Sequence, residues 1–244
     1  MSRTVVVTGG AKGIGRAIVE KFARLGDDVI ALGRDEDALR RLDEHVRTGV
    51  CDVTDENAVN ETFEQLGAVD VLVNNAGVAE SAPLAKTTLT SWLEHFDVNV
   101  TGPFLCMRAV VPGMRERKSG AIVTVASTAG RVGTPYTSAY TASKHAAVGL
   151  TRAVASELAG TGVRVNAVCP TFVRTELTAR AVARIVEATG RTAADSEQAL
   201  TRQSPLGRLL EPDEVADAVV FLASPAAAAI NGQALVIDGG GIQA

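Results

Sequence analysis

Two residues with acid–base chemistry lie four positions apart in the segment SAYTASKHAAVGL, which covers residues 138–150. They are Tyr140 and Lys144, and on a helix this spacing puts both side chains on one face. Free tyrosine has a pKa near ~10, so at neutral pH it donates a proton well and accepts one poorly. Lowering that pKa by about three units requires roughly 4 kcal/mol, which a unit charge ~4 Å away at an effective dielectric of ~20 supplies. The pair predicts proton transfer at an oxygen atom; the alternative is an ordinary surface helix pair.

A glycine-rich turn lies near the start of the chain, in TVVVTGGAKGIGRAI. It follows a strand-like run and opens a helical pattern, and its glycines are Gly9, Gly13 and Gly15, with Gly10 beside the first. Glycine lets a backbone turn tightly and approach a phosphate closely, and the N-terminus of the following helix offers free N–H groups to an anion. The segment therefore predicts a dinucleotide-binding site, against the alternative of an ordinary glycine turn.

The end of the second strand, ALGRDED, indicates which dinucleotide is bound. A carboxylate about twenty residues after the turn would bind the ribose hydroxyls of NAD. Here Gly33 stands at that position, and Arg34 follows with a planar fork of donors suited to a 2′-phosphate. Lys12 offers a second positive charge, while Asp35 is expected to cap the next helix with Glu36 in its first turn. The pattern favours NADP(H) over NAD(H); in the alternative, Arg34 is merely solvated and Asp35 binds the ribose.

The elements that must position these residues alternate along the chain. Short, continuously apolar runs, typical of strands covered on both faces, are separated by helical patterns. This order predicts a single α/β domain over residues 1–244, a doubly wound seven-stranded parallel sheet of the Rossmann type. Residues 171–210 interrupt the alternation of strands and helices after the sixth strand, and we predict that they form a lid. The predicted strands are 4–8, 28–32, 49–53, 70–75, 121–127, 164–169 and 234–238.

Composition excludes several classes of protein. The chain has 244 residues, of which 46% are hydrophobic, and its net charge is −4 with no basic tract, so we expect no nucleic-acid partner. No apolar run is long enough for a membrane span, and the N-terminus enters a strand at once, which predicts no signal peptide. The three widely spaced cysteines, Cys51, Cys106 and Cys169, predict reduced, buried thiols in a cytoplasmic protein.

The three histidines share no spacing with each other or with acidic residues that would indicate a metal site. We therefore expect His45, His95 and His145 to be surface or interface residues, and we predict no metal ion.

Three motifs in order, with two further residues at the expected places, give the chain a close resemblance to the short-chain dehydrogenase/reductase family. TGGAKGIG matches the family's glycine turn, NNAG at residues 74–77 matches its next motif, and YTASK matches its Tyr-x-x-x-Lys motif. Ser127 stands thirteen residues before the tyrosine, and Asn99 lies in FDVNVTGPF, expected to be a long helix. Within the family, the chain resembles 3-oxoacyl reductases and polyketide ketoreductases.

The resemblance implies a role for each matching residue. Tyr140 would be the general acid–base, Lys144 its electrostatic partner and a ribose ligand, Ser127 the ligand of the substrate carbonyl, and Asn99 the anchor of a proton-relay water. From the residues alone, Ser127 is equally a turn cap and Asn99 a backbone ligand within the fold. The cofactor-binding residues implied are Gly9, Lys12, Gly13, Ile14, Gly15, Arg34, Asp52, Val53, Asn75, Ala76, Gly77, Tyr140, Lys144, Pro170, Val173 and Thr175.

Individual contacts are implied as well. Asp52 would meet the adenine amino group, residues 75–77 would run along the adenosine ribose, and Val173 and Thr175 would hold the nicotinamide carboxamide. One departure concerns the residue after Pro170, where the family has glycine and this chain has Thr171, which predicts a narrower substrate pocket.

The resulting functional prediction is an NADP(H)-dependent oxidoreductase that transfers a hydride between nicotinamide and a ketone or secondary alcohol, with a 3-oxoacyl or polyketide-like substrate as one possibility. The substrate pocket would draw on 78–90, 128–138 and the lid, with Arg131, Arg174 and Arg180 available to anionic groups. The segment INGQALVIDGGG resembles the family's tetramer-forming C-terminal strand and implies a homotetramer. The alternatives are an NAD-dependent hydroxyacyl or cyclic-alcohol dehydrogenase and a non-catalytic nucleotide-sensing protein.

Overall fold

All seven strands form one parallel sheet with the order β3-β2-β1-β4-β5-β6-β7, and the doubly wound Rossmann-type prediction is confirmed. The computed structural model describes residues 2–202 and 204–243. The strands are β1 (Thr4–Thr8), β2 (Asp28–Gly33), β3 (Arg47–Val50), β4 (Val71–Asn74), β5 (Gly120–Val125), β6 (Val163–Pro170) and β7 (Ala234–Ile237).

Helices cover both faces of this sheet. Alternate residues of a strand point to opposite faces, so Val5 and Val7 pack with α1 and α9 while Val6 packs against α3 and α5. The helices are α1 (Gly13–Arg24), α2 (Glu36–Leu39), α3 (Glu56–Leu66), α4 (Leu89–Phe96), α5 (Gly102–Arg117), α6 (Ser138–Glu157), α7 (Glu176–Thr189), α8 (Ala193–Thr201) and α9 (Pro212–Ala223).

The strand order reverses at β1, which is paired with β2 on one side and β4 on the other. In open parallel sheets the chain segments that leave two such strands diverge to opposite faces, and a crevice opens between them at the carboxyl ends. The glycine turn follows β1 and the NNAG motif follows β4, so the fold puts both motifs at this crevice.

The third strand was predicted at 49–53 and instead spans Arg47–Val50. The chain leaves the sheet because the side chain of Asp52 accepts hydrogen bonds from the backbone and hydroxyl of Thr54 (3.0 and 2.8 Å), which forms a turn. Cys51 and Val53 are buried all the same, and a Cβ on Gly102 of α5 would lie 2.7 Å from Val53. The apolar pattern there reflects packing under a helix rather than strand pairing.

The insertion at 171–210 is an excursion whose two ends meet. Val173 and Leu210 form an isolated parallel bridge, and Arg174 donates its backbone N–H to the carbonyl of Leu210 (2.8 Å). Between these ends the segment forms α7 and α8, and Gln203 within it lies outside the described residues. The segment is thus closed at its base, and its role as a lid stays a prediction.

The described residues contain neither a membrane-spanning helix nor a metal-binding cluster, and their cysteines are unpaired. No helix in the described part of the chain combines the length and apolarity needed to cross a membrane. Within the same residues, His, Cys, Asp and Glu side chains form no cluster of three or more that would hold a metal ion. Cys51, Cys106 and Cys169 are free thiols and buried, as predicted.

Candidate active site

The glycine turn has a backbone that only glycine tolerates. Gly9 and Gly13 have φ of 62° and 51°, in the left-handed region, and a Cβ on Gly15 would lie 2.1 Å from the carbonyl oxygen of Gly9. Lys12 occupies the N-cap of α1 but makes no side-chain hydrogen bond to the helix. The first N–H groups of α1 therefore keep no side-chain cap and remain suited to an anion.

Thr8 holds the two motifs of the crevice together, and sequence reasoning missed it. Its hydroxyl oxygen accepts hydrogen bonds from the backbone N–H groups of Asn75 (3.0 Å) and Ala76 (3.1 Å). The side-chain amide of Asn75 returns hydrogen bonds to the carbonyls of Thr8 (3.0 Å) and Gly9 (3.1 Å). A signal was available, because Thr8 is the first residue of the TGGAKGIG motif.

The end of β2 carries the residues that bear on cofactor choice. Asp35 caps α2 by accepting a hydrogen bond from the N–H of Ala38 (3.0 Å), and Glu36 lies in the first turn, as predicted. A hydrogen bond from Lys12, with a further contribution from Ala38, lowers the pKa of Asp35. Arg34 lies beside Asp52, with Nη1 3.6 Å from the carboxylate, and its side chain is 64% exposed. Arg34 is thus accessible, while the Asp35 carboxylate is already engaged.

Helix α6 presents Tyr140 and Lys144 toward the crevice. Lys144 is buried, its Nζ donates a hydrogen bond to the carbonyl of Val125 (2.9 Å), and this ammonium lies 5.8 Å from the centre of the Tyr140 ring. Burial disfavours the charged form and lowers the pKa of Lys144 to about 8. The two side chains therefore share one face, as the spacing predicted.

The expected lowering of the Tyr140 pKa by Lys144 is not what the structure shows. Burial raises the pKa of Tyr140, and a hydrogen bond with the side chain of Ser127 opposes this only in part. The cause is burial, which removes water from the phenol and so disfavours the phenolate. Ser127 also accepts a hydrogen bond from the N–H of Ala129 (3.1 Å), so it caps a short turn as well.

Asn99 lies in a π-helical turn, Asp97–Thr101, between α4 and α5, where a continuous helix was expected. Its Nδ2 donates to the carbonyl of Val78 (3.0 Å) and to the hydroxyl of Ser143 (3.0 Å), and its Oδ1 accepts from the N–H of Val78 (3.0 Å). Ser143 in turn donates to the carbonyl of Tyr140 (2.8 Å). Asn99 thus ties the segment after β4 to α6, and Ser143, a residue within YTASK, is a second contact that sequence reasoning missed.

His95 is buried, so its prediction as a surface or interface residue was wrong. Nε2 accepts a hydrogen bond from the N–H of Glu80 (3.0 Å), and Nδ1 lies 2.6 Å from the carbonyl of Ser91. The ring also meets the edge of Tyr140, with 6.3 Å between ring centres. His45 and His145 are exposed, as predicted. His95 escaped notice because its partners are backbone groups, which leave no pattern of side-chain types.

One cleft of about 590 Å³ joins most of the predicted site. Gly77 leaves room at its centre, because a Cβ there would lie 3.1 Å from Asn99 Oδ1 and 3.6 Å from Lys144 Nζ. The predicted residues that line the cleft are Gly9, Lys12, Gly13, Ile14, Arg34, Asp52, Val53, Asn75, Ala76, Gly77, Tyr140, Lys144 and Thr175.

Other predicted residues stand behind this lining. Pro170 and Val173 are buried, and Gly15 packs beneath the turn against Gly9. Asn99 and Ser127 are hydrogen-bonded to residues that line the cleft, Asn99 to Val78 and Ser127 to Tyr140. Thr171, expected to narrow the substrate pocket, does not line this cleft, and its N–H donates to the carbonyl of Ile237 (3.0 Å).

Comparisons with known proteins extend over nearly the whole chain. A family model described as enoyl-(acyl carrier protein) reductase matches residues 9–241. The chain is 37% identical over 249 residues to the 3-oxoacyl-(acyl-carrier-protein) reductase of Thermotoga maritima, covering 98% of this chain and 97% of that protein. It is 40% identical over 251 residues to the D-threitol dehydrogenase of Mycolicibacterium smegmatis, covering 98% and 92%.

A solved structure agrees with these matches. A variant of the actinorhodin polyketide ketoreductase, determined with NADPH, superimposes with a TM-score of 0.91 at 37% identity, covering 98% of this chain and 97% of the other. Identity at this level over nearly the whole of each chain, together with the close superposition, establishes the relationship. The chain belongs to the short-chain dehydrogenase/reductase family.

Proposed function

We propose that this chain is an NADP(H)-dependent oxidoreductase that transfers a hydride between the nicotinamide and a ketone or secondary alcohol, with residues 1–244 as one dinucleotide-binding and catalytic domain. A single observation carries the proposal. The same cleft is lined by Gly13 and Arg34 at the nucleotide turn and by Tyr140 and Lys144 of α6. A dinucleotide lying along it would bring its reactive end to the acid–base pair.

The residues present fit such a cofactor. The left-handed backbone at Gly9 and Gly13 and the uncapped N-terminus of α1 suit a pyrophosphate. We propose that Arg34 and Lys12 hold the 2′-phosphate and that the nicotinamide, when bound, supplies or accepts the hydride. The remaining proposed cofactor contacts are Ile14 and Gly15 at the pyrophosphate, Asp52 and Val53 at the adenine, Asn75, Ala76, Gly77, Tyr140 and Lys144 at the riboses, and Pro170, Val173 and Thr175 at the nicotinamide.

Tyr140 is the proposed proton donor to the substrate oxygen. Because burial raises the pKa of this phenol, it carries its proton at neutral pH, which suits protonation of the alkoxide formed when a ketone is reduced. Ser127 would hold the same oxygen through its hydroxyl. Lys144, with a pKa of about 8, is mainly charged at neutral pH and favours the phenolate that remains after transfer.

Asn99 is the proposed anchor of a water that returns a proton to the site. Both donors of its amide are already used by Val78 and Ser143. Such a water would therefore donate to Asn99, at the side-chain or backbone carbonyl oxygen, rather than accept from it.

The names of the relatives support reduction of a ketone. Two of the three proteins described above are named as reductases of oxoacyl or polyketide substrates, and one was solved with NADPH. The second candidate is an NAD-dependent dehydrogenase of hydroxyacyl compounds or cyclic alcohols. The D-threitol dehydrogenase is named for the oxidation of an alcohol, and it supports this candidate in the direction of the reaction alone. A non-catalytic nucleotide-sensing role fits less well, because Asn99, Ser127, Tyr140 and Lys144 are all present and joined.

We extend the proposal to a cytoplasmic homotetramer with a small-molecule substrate and no nucleic-acid or membrane partner. Strand β7 lies at the edge of the sheet, and Leu235 on it and Phe221 on α9 are exposed apolar residues. An exposed apolar edge of this kind is suited to a second copy of the chain. The three buried free thiols support a reducing compartment.

Fluorescence titration and steady-state assays test the proposed function. The protein is titrated with NADPH and with NADH, and each cofactor is then offered with a panel of ketones and, in oxidised form, with the matching alcohols. We expect tighter binding of NADPH and turnover of at least one ketone. Tighter binding of NADH with turnover confined to alcohols would favour the second candidate, and cofactor binding without any turnover would favour the sensing role.

A further inference from the structure

Helix α7 lines the cleft with one of its faces. The residues of α7 that line the cleft form a stripe along one side of the helix, because their spacing places them near one another on successive turns. They are Glu176, Leu177, Arg180 and Arg184. The segment after β4 also lines the cleft, and Arg184 reaches it with a hydrogen bond from Nη2 to the carbonyl of Ala79 (3.3 Å). The stripe therefore borders the cleft beside Ala79, a residue that is not among the proposed nucleotide contacts.

The cations that line the cleft differ in how they are neutralised. Lys12 lies 2.5 Å from the carboxylate of Asp35, Arg34 lies 3.6 Å from that of Asp52, and Arg180 lies 3.7 Å from that of Glu176, one turn earlier on α7. Lys144 is bound to a backbone carbonyl. The remaining one is Arg184.

Arg184 has no carboxylate within 4.0 Å among residues 2–202 and 204–243. Its one hydrogen bond in that part of the chain is long, from Nη2 to the carbonyl of Ala79 (3.3 Å). Its Nε is buried and has no hydrogen-bond partner there. The guanidinium is half-buried, so it gives up part of its hydration without a compensating negative charge.

An arginine in this environment is suited to bind an anion that is not part of the chain. A guanidinium offers a planar fork that matches a carboxylate or phosphate, and it would lose only one long hydrogen bond on turning toward a ligand. Two other carboxylates line the cleft, Glu80 and Glu94. Glu80 already accepts a hydrogen bond from the hydroxyl of Ser91 (3.0 Å), and neither lies within ion-pair distance of Arg184 among the described residues.

We propose that Arg184 binds an anionic group of the substrate, a carboxylate or a phosphate, and so makes the enzyme selective for negatively charged carbonyl compounds. The inference rests on the proposed function, since it concerns the substrate of that same site. It also replaces part of the sequence-based expectation. Arg174 is paired with Glu211 (3.0 Å) and Glu197 (3.6 Å), and Arg180 with Glu176, so these two offer less to an anion than Arg184 does.

Matched substrate pairs test this assignment. Oxo acids of graded chain length are each compared with their primary amides, and a phosphorylated ketone is compared with its dephosphorylated counterpart, all with NADPH. We expect kcat/KM to favour the anion of at least one pair by tenfold or more.

Three variants then test Arg184 itself. Arg184→Gln should reduce the preference at least tenfold, and Arg184→Lys should retain part of it. Arg180→Gln is the control, since Arg180 lies one turn away and is already paired, and it should preserve most of the preference. The pair that shows the preference identifies carboxylate or phosphate as the group.

A binding measurement without turnover accompanies the kinetics. The preferred anionic ketone is titrated into protein saturated with NADP⁺, which cannot reduce it, and Arg184→Gln should weaken this binding while the affinity for NADPH itself stays within about twofold. Loss of activity that is equal for anions and amides would mean that Arg184 serves lid closure, and loss of NADPH affinity would mean that it serves the cofactor; either result overturns the assignment. Turnover of neutral ketones with no preference for anions overturns it while leaving the proposed function intact. No turnover of any ketone refutes the proposed function itself.

Discussion

The ammonium of Lys144 lies 5.8 Å from the ring centre of Tyr140 and is held there by the carbonyl of Val125. Burial acts on the two groups in opposite directions, raising the pKa of Tyr140 and lowering that of Lys144 to about 8. At neutral pH the phenol therefore keeps its proton and the lysine is mainly charged. This is the state that reduction of a ketone requires, because the substrate oxygen must receive a proton.

Lys144 should reduce stability at neutral pH. Its pKa falls from an ordinary value of 10.5 to about 8 on folding, and ~1.36 kcal/mol per pKa unit makes this a cost of about 3 kcal/mol. Lys144→Met removes this buried charge and should therefore raise the free energy of unfolding at pH 7. The gain should be ~1–3 kcal/mol, less than the full cost, because the carbonyl of Val125 loses its hydrogen-bond donor in the exchange. Activity should be lost. Urea denaturation measures the first effect and NADPH oxidation the second.

The pH dependence of that stability difference gives the control. Folding of the wild-type chain carries the cost in full below pH 8, and the cost disappears as pH rises toward 10.5, where lysine is neutral in both states. The advantage of Lys144→Met should thus shrink between pH 7 and pH 10. Lys86→Met, at an exposed position, should change stability by less than ~0.5 kcal/mol. A variant less stable than wild type at pH 7 would contradict the account.

Local patterns in the sequence predicted most of the fold. Apolar runs marked the strands because a parallel sheet is covered on both faces, and Asp35 capped α2 as its position indicated. The limits of β3 were wrong because Cys51 and Val53 owe their burial to α5, a contact between distant segments. His95 and Arg184 were missed for a related reason, since each is bonded to a backbone group of the segment after β4, the N–H of Glu80 for His95 and the carbonyl of Ala79 for Arg184.

Arg34 should determine the choice between the two cofactors. A charge-assisted hydrogen bond is worth ~1.5–3 kcal/mol, so Arg34→Ala should weaken NADPH about ten- to a hundredfold and leave NADH nearly unchanged. Loss of the exposed pair with Asp52 should matter little by comparison. Fluorescence titration measures both affinities, with Arg40→Ala, on the same helix–loop region but outside the cleft, as the control.

Gly33→Asp should act in the opposite direction. The nearest atom to a Cβ at this position is Leu39 Cδ2 at 3.9 Å, so a side chain fits without distortion. Its carboxylate would repel a 2′-phosphate and accept hydrogen bonds from unphosphorylated ribose hydroxyls. Preference should move toward NADH in the same titration. Unmodified protein that binds NADH more tightly than NADPH would refute the assignment of Arg34.

His95 should contribute more to stability than an exposed histidine. His95→Leu removes the acceptor of the Glu80 N–H and the partner of the Ser91 carbonyl, and leaving such groups unpaired costs ~1–3 kcal/mol. His45→Leu, at an exposed position, should stay within ~0.5 kcal/mol of wild type. Urea denaturation of the two variants compares them directly, and equal stabilities would show that these buried contacts contribute nothing.

The segment with α7 and α8 should close when the site is filled. In the described residues the hydrogen bond that joins Arg184 of α7 to Ala79 is long, at 3.3 Å, so opening should cost little. Hydrogen exchange should show slower exchange in Glu176–Thr189 and Ala193–Thr201 when NADP⁺ and a ketone are added, with β4 and β5 unchanged. Equal protection of these helices in both states would count against a lid.

The rate of NADPH oxidation with a ketone, measured for wild type and Tyr140→Phe at the nicotinamide absorbance, tests the central claim most directly. Only a hydroxyl is removed, so the fold and the affinity for NADPH should be retained while the rate falls by ~100-fold or more, as expected on loss of a general acid. That result would support Tyr140 as the group that transfers the proton at the substrate oxygen. A variant that keeps most of the wild-type rate would contradict the account.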